Sequence, residues 1–449
     1  MGTRICAAVF AAAALAAGCG GGEAQGPAAT LSPSSTRLPP TWTIDAPFEQ
    51  QPGKAEYPSV AIAANGETLT VFAQDTGTRI AVFAVHGNVN SATIGAPRTI
   101  DLPEMNTQPS LRANGRFQTA TQVAMNPATG DAVAVWSATA GDRPHVWAAS
   151  YNHASDTWSV PVRLDASAAG ASYPVLAMNA QGRAVAAWSE AGSVSAATFN
   201  AGTWRNPIRL SSSASGMTQA GIDAAGNALL AWVEKDTAGI DNIRAARIDA
   251  AGAAAPARTL DTLTAPASMP SVAVAPNGNA LVAWLQDDGT GSSVHASRFD
   301  GSSAWSAPAT IEDRPGSSFA PFAALNDGGG FIAWEQEVAV ASSGYAFAAR
   351  MDANGAWSAP VNVYNRGAFM PVVRLRENGD AIMVWLAAHT QFATWSASSG
   401  SWSSVVNLAP YNCGNGHALA MDASSGKAVA AWVPSNCSRN NDVYGAFYR

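Results

Sequence analysis

The segment Met269-Pro-Ser-Val-Ala-Val-Ala-Pro-Asn-Gly278-Asn-Ala-Leu-Val-Ala-Trp284 contains the pattern that decides the fold. Two short apolar runs flank the dipeptide Asn277-Gly278. Such a dipeptide between two runs of this kind is typical of a tight β-hairpin turn, because glycine adopts a positive φ without strain. The segment therefore predicts two short antiparallel strands.

The same pattern, x-Pro-x-Val-Ala-x-x-x-x-Gly-x-Ala-x-x-Ala-Trp, recurs eight times along the chain, and each copy ends in an aromatic anchor six residues after its glycine. The anchors are Phe72, Trp136, Trp188, Trp232, Trp284, Trp334, Trp385 and Trp432, and the glycines are Gly66, Gly130, Gly182, Gly226, Gly278, Gly328, Gly379 and Gly426. From Trp136 onward the anchors are 52, 44, 52, 50, 51 and 47 residues apart. A period near fifty residues indicates one supersecondary unit repeated along the chain.

Each unit continues with a third apolar run, such as residues 242–249, and a fourth run of the form Trp-x-x-Pro, such as Trp305 to Pro308. Four short strands at this period are typical of a propeller blade. Helical periodicity is absent after the leader. The sequence therefore predicts an all-β protein in which residues 41–449 form one eight-bladed β-propeller of four-stranded blades.

The two ends of the repeat array predict how the ring closes. The eighth unit stops at Arg449 after its third strand, whereas residues 41–47 have the fourth-strand pattern and no first three strands of their own. We expect this N-terminal strand to complete the last blade, which removes two exposed sheet edges. Seven blades with one detached unit are the alternative. Cys413 and Cys437 lie in this last unit and predict a disulfide in an exported protein; two free thiols are the alternative.

The N-terminus predicts export. Arg4 precedes an apolar stretch, and Leu15-Ala-Ala-Gly-Cys19 resembles the lipobox of bacterial lipoproteins. The resemblance implies a signal peptide over residues 1–18, a lipidated Cys19, and a flexible tether over residues 19–40, whose Gly, Ala, Ser, Thr and Pro content cannot form a core. Gly20 after the cysteine implies sorting to the outer membrane of a diderm bacterium, on either face. An ordinary leader without lipid is the alternative.

Composition excludes several classes of protein. The 449 residues carry a formal net charge of −7, and only 13% are charged, against 47% hydrophobic residues. An acidic balance argues against nucleic-acid binding. No apolar run of about 20 residues is present to span a bilayer, so we expect contact with the membrane only through the lipid.

Two rings of recurring side chains are candidate ligand contacts at the mouth of the predicted channel. The first comprises large residues just before the first strand of each blade, where Tyr57 and Tyr173 are best suited to stack on a sugar; the others are Met217, Met269, Phe319 and Met370. The second comprises amides and carboxylates two residues after the anchor: Gln74, Glu190, Glu234, Gln286 and Gln336. Blade-to-blade packing is the alternative for the first ring, and a solvated loop start for the second. Calcium would suit the acidic face, but no Asp-x-Asp-x-Asp-Gly run is present, so no cofactor is predicted.

Turns before the fourth strands resemble the Asp-box of sialidases. Residues 352–357 and 200–204 carry similar Asp or Asn, Gly and Trp residues, although the Asp-box spacing is not kept. The resemblance implies a related propeller fold without the catalytic motifs, since the Phe-Arg-Ile-Pro segment is absent and no nucleophile pair can be named. No catalytic residue and no metal centre are predicted, because the six histidines show no paired spacing.

These features together predict a monomeric, lipid-anchored binding module of the cell envelope for a glycan or surface polymer. A protein-interaction scaffold in an envelope complex and a sialidase-like glycoside hydrolase are the alternatives.

Overall fold

The computed structural model describes residues 42–49, 53–108, 111–113, 116–119, 121–289, 291–338, 341–408, 414–434 and 442–449. Residues from Pro40 to Arg449 form one compact unit. Regular structure in the described ranges is entirely β-strand, and no helix long and apolar enough to cross a membrane is found in them. The all-β prediction is confirmed.

The described strands form nine antiparallel sheets, of which eight are the blades and one is a two-stranded hairpin. Strand β1 is Trp42–Pro47. The first blade contains β2 (Ala55–Ile62), β3 (Glu67–Asp75), β4 (Ile80–Asn88), β5 (Thr93–Ile94) and β6 (Arg98–Thr99). Three short strands follow: β7 (Asn106–Thr107), which joins the second blade, and the hairpin β8 (Leu111–Ala113) and β9 (Arg116–Gln118).

The next three blades continue in chain order. The second contains β10 (Thr121–Met125), β11 (Ala132–Thr139), β12 (Pro144–Asn152), β13 (Thr157–Trp158) and β14 (Val162–Arg163). The third contains β15 (Ser172–Met178), β16 (Ala184–Glu190), β17 (Ser193–Asn200), β18 (Thr203–Trp204) and β19 (Ile208–Arg209). The fourth contains β20 (Ala214–Ile222), β21 (Ala228–Lys235), β22 (Asp241–Ile248) and β23 (Arg258–Thr259).

The last four blades complete the ring. The fifth contains β24 (Ala267–Val274), β25 (Ala280–Asp287), β26 (Ser292–Phe299) and β27 (Ala309–Thr310). The sixth contains β28 (Ser318–Asn326), β29 (Gly329–Val338), β30 (Ala341–Met351) and β31 (Val361–Tyr364). The seventh contains β32 (Phe369–Leu375), β33 (Ala381–Leu386), β34 (Thr390–Ser396), β35 (Ser401–Trp402) and β36 (Val406–Asn407). The eighth contains β37 (Gly414–Met421), β38 (Ala428–Pro434) and β39 (Tyr444–Tyr448), with β1 as its fourth strand.

The ring closes as the sequence predicted. Strand β1 pairs antiparallel with β39, with Trp42 opposite Tyr448. The innermost strands contact one another in the order β2, β10, β15, β20, β24, β28, β32 and β37, and β37 returns to contact β2. Eight blades are therefore present, and the seven-bladed alternative is wrong. Cys19, Cys413 and Cys437 lie outside the described residues, so lipidation and the disulfide stay predictions.

The glycine of the first hairpin adopts a positive φ in seven of the eight blades, between 72° at Gly182 and 91° at Gly278. The sixth blade departs from the repeat. There Leu325 pairs with Gly330, whereas Val274 of the fifth blade pairs with Ala280, so the hairpin loop is one residue shorter. The predicted turn residue Gly328 gives way to Gly329, at φ 140°.

The core consists of eight hydrophobic clusters, one at each seam between neighbouring blades. Trp anchors fill these seams, and six of their side chains are fully buried: Trp136, Trp188, Trp232, Trp284, Trp334 and Trp385. Side chains that alternate along a strand point to opposite faces of a blade. Every blade therefore contributes to two seams, and a central channel remains between the innermost strands.

Candidate functional site

The innermost strand contains a bulge beside the channel in seven of the eight blades, whereas β10 of the second blade pairs with β11 in continuous register. At Tyr173, Met269, Ala320 and Met370 the φ angle lies between 47° and 54°, and a proline follows each of them. The pairing with the second strand shifts register at these positions. Residues other than glycine rarely adopt a positive φ, so its recurrence in four blades indicates a specific feature of the fold. The bulge changes the direction in which the side chains at the start of the strand point.

The positions of the bulges show that one residue of the predicted apolar ring was wrong. Ala320, and not Phe319, occupies the bulge of the sixth blade, because the following hairpin loop is one residue shorter. Phe319 instead pairs with Glu335, ahead of the bulge.

The large residues of the first ring do not form a continuous rim. Met217 and Met269 are buried in a seam between blades, as the packing alternative expects. Tyr173 lies with Glu190 beside a separate shallow depression, and Met370 lines the channel. The side chain of Tyr57 lies outside the described residues. A ligand-binding role for this ring stays a prediction.

The second ring of amides and carboxylates has the indole of the anchor as its partner in the third, fourth, fifth and sixth blades. The indole Nε1–H of Trp188 donates to Glu190 at 3.0 Å. The same bond joins Trp232 to Glu234 at 2.7 Å, Trp284 to Gln286 at 3.3 Å and Trp334 to Gln336 at 3.1 Å. Gln286 and Gln336 are themselves buried. A buried N–H without an acceptor is costly, which explains why an acceptor recurs two residues after the anchor.

The first and seventh blades vary this arrangement. The anchor of the first blade is Phe72, which has no N–H, and there Gln74 donates to the Glu49 carboxylate at 2.5 Å. The seventh blade has Ala387 two residues after its anchor, and the Trp385 indole donates instead to Gln391 at 3.1 Å. The second ring is thus occupied largely with the indoles and with neighbouring polar groups.

The central channel contains a cavity of about 500 Å³. Its polar and aromatic lining includes Gln122, Gln219, Phe322, Arg374 and His417. Among the residues that line it, none is Asp or Glu. A mechanism based on two carboxylates, as in most glycoside hydrolases, therefore has no candidate groups in this lining.

Arg374 breaks the repeat inside the channel. It occupies the Ala position of the x-Pro-x-Val-Ala pattern. In each blade this position pairs with the residue on the second strand that lies three positions before the anchor. The equivalent residues of the other blades are all small: Ala61, Ala124, Ala177, Gly221, Ala273, Ala324 and Ala420. One blade in eight therefore places a guanidinium where the others have at most a methyl group.

Few protein groups offset the positive charge of the Arg374 guanidinium. Its Cζ lies 4.8 Å from the centre of the Phe322 ring, a cation–π contact, and Nη1 donates to the carbonyl of its neighbour Val373 at 3.3 Å. Burial lowers the pKa of Arg374 to about 10, so the group stays charged at neutral pH. No ion pair in the described part of the chain includes it.

His417 supplies a neutral polar group to the same cavity. Burial lowers the pKa of its imidazole to about 4, so the ring is uncharged at neutral pH. Both ring nitrogens are buried, and backbone groups of Val384 and Met370 offset part of the effect of burial on the imidazole pKa. The channel thus offers one fixed positive charge among neutral donors and acceptors, which suits an anionic group that also carries hydroxyls.

The sequence analysis did not single out Arg374 or His417, although one signal was available. An arginine at the alanine position of a strict repeat is visible by aligning the eight copies. That the position faces the channel depends on strand pairing.

Comparisons with known proteins show which folds this chain resembles, and they do not show its function. No protein-family model matches the chain, and no curated protein matches it. A solved ulvan lyase, a polysaccharide lyase bound to -[GlcA(1-4)Rha3S]-, aligns at 10% identity over 90% of this chain and 95% of that chain, with a TM-score of 0.51.

Two further solved structures are similar. The Hadza microbial sialidase Hz136 aligns at 9% identity over 88% of this chain and 65% of that chain, with a TM-score of 0.38. The β-propeller domain of the Trilobed protease from Pyrococcus furiosus aligns at 8% identity over 80% and 99%, with a TM-score of 0.47. At such identities the likeness is one of fold alone.

Proposed function

We propose that this protein is a binding module that receives an acidic group of a glycan or surface polymer in its central channel. The observation that carries the proposal is the guanidinium of Arg374, which stands where the other seven blades have Ala or Gly and makes no ion pair with the described residues. A partly buried charge without a nearby counter-ion is costly to keep, and an anionic ligand would offset that cost.

The cavity also supports a ligand of limited size. Its volume of about 500 Å³ lies within the range of small-ligand pockets, roughly 300–1,000 Å³. Gln122 and Gln219 supply amides that can bond to hydroxyls, and Phe322 is the aromatic surface beneath the charge. These features favour one terminal acidic sugar rather than a long stretch of polymer.

Export and anchoring belong to the same proposal. A lipid on Cys19 and the tether over residues 19–40 would hold the propeller close to a bacterial outer membrane, where acidic surface polymers are accessible. A disulfide between Cys413 and Cys437 would reinforce the closing blade.

Binding of acidic and neutral polysaccharides tests the proposal. The probes are ulvan and polygalacturonate as acidic polymers and dextran as the neutral one, measured by affinity electrophoresis at low salt. We expect retardation by an acidic polymer and none by dextran. Arg374→Gln should weaken this binding about 10- to 100-fold, the equivalent of a lost charged hydrogen bond.

Arg298→Gln, which changes a surface arginine of the fifth blade, is the matched control and should bind as the wild type does. Equal binding by Arg374→Gln and the wild type would contradict the proposed site. Absence of binding to every acidic polymer would contradict the proposed ligand class.

A further inference from the structure

Three potential metal ligands meet at the seam between the first and second blades. They are Glu67 at the start of β3, His86 in β4 and His153 directly after β12. One ligand atom of each lies within 4.8 Å of the other two, and all three residues are partly buried. The cluster lies outside the central channel and is independent of the function proposed above.

Strand register brings Glu67 and His86 onto one face of the first blade. Leu69 pairs with His86 and Glu67 pairs with Asn88, so Glu67 and His86 are diagonal neighbours on adjacent strands. Side chains in this relation share a face and lie within reach of each other.

The second blade brings His153 to the same point. Its backbone N–H donates to Asp131 Oδ1 at 2.9 Å, which anchors the start of the turn after β12. Gly130 lies beneath the imidazole with φ at 82°, and a Cβ at that glycine would stand 3.0 Å from Cγ of His153. The absence of a side chain at position 130 therefore leaves room for the ring.

The facing atoms of the cluster lack hydrogen-bond partners. Glu67 Oε2 and His86 Nε2 are in contact, and these two atoms and His153 Nδ1 are all buried without a hydrogen bond in the described structure. The other carboxylate oxygen, Glu67 Oε1, accepts a hydrogen bond from Asn88 at 2.6 Å. Three buried polar atoms converge here with only the contact between Glu67 and His86 to compensate them, which is costly unless a further group satisfies them.

We propose that Glu67, His86 and His153 bind a divalent transition-metal ion, with Zn²⁺ as the best match. Two imidazole nitrogens and one carboxylate oxygen are a ligand set that Zn²⁺ accepts, with a fourth position left for water. Glu67 and His86 also line a shallow depression, together with Asn90, Ser91 and Thr93. Asn88 is the positioning residue, because its bond to Oε1 turns Oε2 toward the imidazoles.

The ion would join two blades. Glu67 and His86 belong to the first blade and His153 belongs to the turn of the second, so one Zn²⁺ would tie them across a seam that also contains apolar packing and the Arg98–Asp156 ion pair. Binding to the folded state alone raises its stability by mass action.

Titration of the metal-free, full-length protein with Zn²⁺ tests the proposal. The protein is first treated with a chelator, and heat is then measured by calorimetry. We expect one strong site in the wild type, and at least about a tenfold weaker affinity in His86→Ala and in His153→Ala, since each loses a direct ligand. Co²⁺ in place of Zn²⁺ should give visible d–d absorption that both variants lose.

Two further variants control for misfolding and for Zn²⁺ binding at other sites. Glu67→Gln keeps the volume and the acceptor for Asn88 while it removes the charge, and it too should weaken Zn²⁺ binding. His389→Ala, in the seventh blade, is the control and should bind Zn²⁺ as the wild type does. Zn²⁺ binding that is absent from the wild type, or unchanged in His86→Ala and His153→Ala, would overturn the proposal and leave a metal-free His–Glu contact.

Discussion

A buried indole N–H is costly without a hydrogen-bond acceptor, and this cost explains the polar residue that recurs two positions after the anchor. Four anchors donate to the side chain two residues further on, and Trp385 donates to a side chain on the adjacent strand. The second blade is the exception, because Ala138 stands at the acceptor position and Trp136 Nε1 has no partner in the described structure. A pattern of polar residues that suggested ligand contacts is thus explained by the burial of tryptophan.

Replacement of a buried acceptor should cost stability. In Gln336→Leu the Trp334 N–H loses its partner, and the Arg314 carbonyl loses the hydrogen bond that the Gln336 amide donates at 3.0 Å. We expect the free energy of unfolding to fall by about 1–3 kcal/mol. Denaturant titration monitored by tryptophan fluorescence measures the change.

Gln181→Leu is the control for that measurement, because Gln181 is exposed in the first hairpin turn of the third blade. Its free energy of unfolding should stay within about 0.5 kcal/mol of the wild type. A similar loss in both variants would show that the hydrogen bond to the indole contributes nothing particular.

At the scale of the element, the closing blade depends on a close fit between two distant parts of the chain. Phe48 follows β1, is buried, and its backbone N–H donates to the Val443 carbonyl at 2.6 Å. Its ring covers Gly445 in β39, where a Cβ would overlap the ring. Glycine at position 445 therefore lets the N-terminal segment seat on the last blade.

A methyl group at that position should loosen the closure. In Gly445→Ala the Phe48 ring must move, and we expect a loss of about 1–3 kcal/mol from overpacking. The thermal unfolding midpoint measures the effect, and limited proteolysis should cleave near residue 50 more rapidly.

Gly328→Ala is the matched control, since a Cβ there meets only Asn326 Oδ1, at 3.5 Å. It should unfold at nearly the wild-type temperature. Equal midpoints for Gly445→Ala and the wild type would mean that Phe48 does not fasten the blade.

At the scale of the whole molecule, closure of eight blades creates the channel and so determines the charge state of what lies inside it. The pKa of His417 falls from its ordinary 6.5 to about 4 through burial, and the imidazole is neutral in the folded protein at neutral pH. In the unfolded chain the same imidazole takes up a proton below about pH 6.5. Acid therefore favours the unfolded state through this residue.

Through His417, the free energy of unfolding should consequently decrease as the pH falls from 6.5 toward 4. His417 alone accounts for up to about 3 kcal/mol of that decrease, because one pKa unit corresponds to about 1.4 kcal/mol. Urea titrations at pH 7 and pH 4.5 should give a smaller difference for His417→Gln, which cannot titrate, than for the wild type. Identical pH dependence in the two proteins would show that protonation of His417 is not linked to unfolding.

The main strands of each blade, the eight units and the closure by residues 41–47 were predictable from the sequence alone. These features are local or periodic, since turn glycines and alternating apolar residues act within one hairpin, and the missing fourth strand of the last unit could be recognised at the N-terminus. The one-residue shift at Ala320 was missed although the sequence carries a signal for it, since Pro321 precedes Trp334 by 13 residues whereas Pro270 precedes Trp284 by 14.

The contacts between side chains of different blades are visible only in the tertiary structure. Glu67, His86 and His153 converge because two blades pack side by side, and Arg374 and His417 share one cavity because the innermost strands form a closed ring. Such contacts join residues far apart in the chain, and a sequence pattern specifies neither the faces that pack together nor the groups left without partners. The physical reason is that burial and pairing are properties of the assembled ring, whereas the repeat records only what each blade needs to fold.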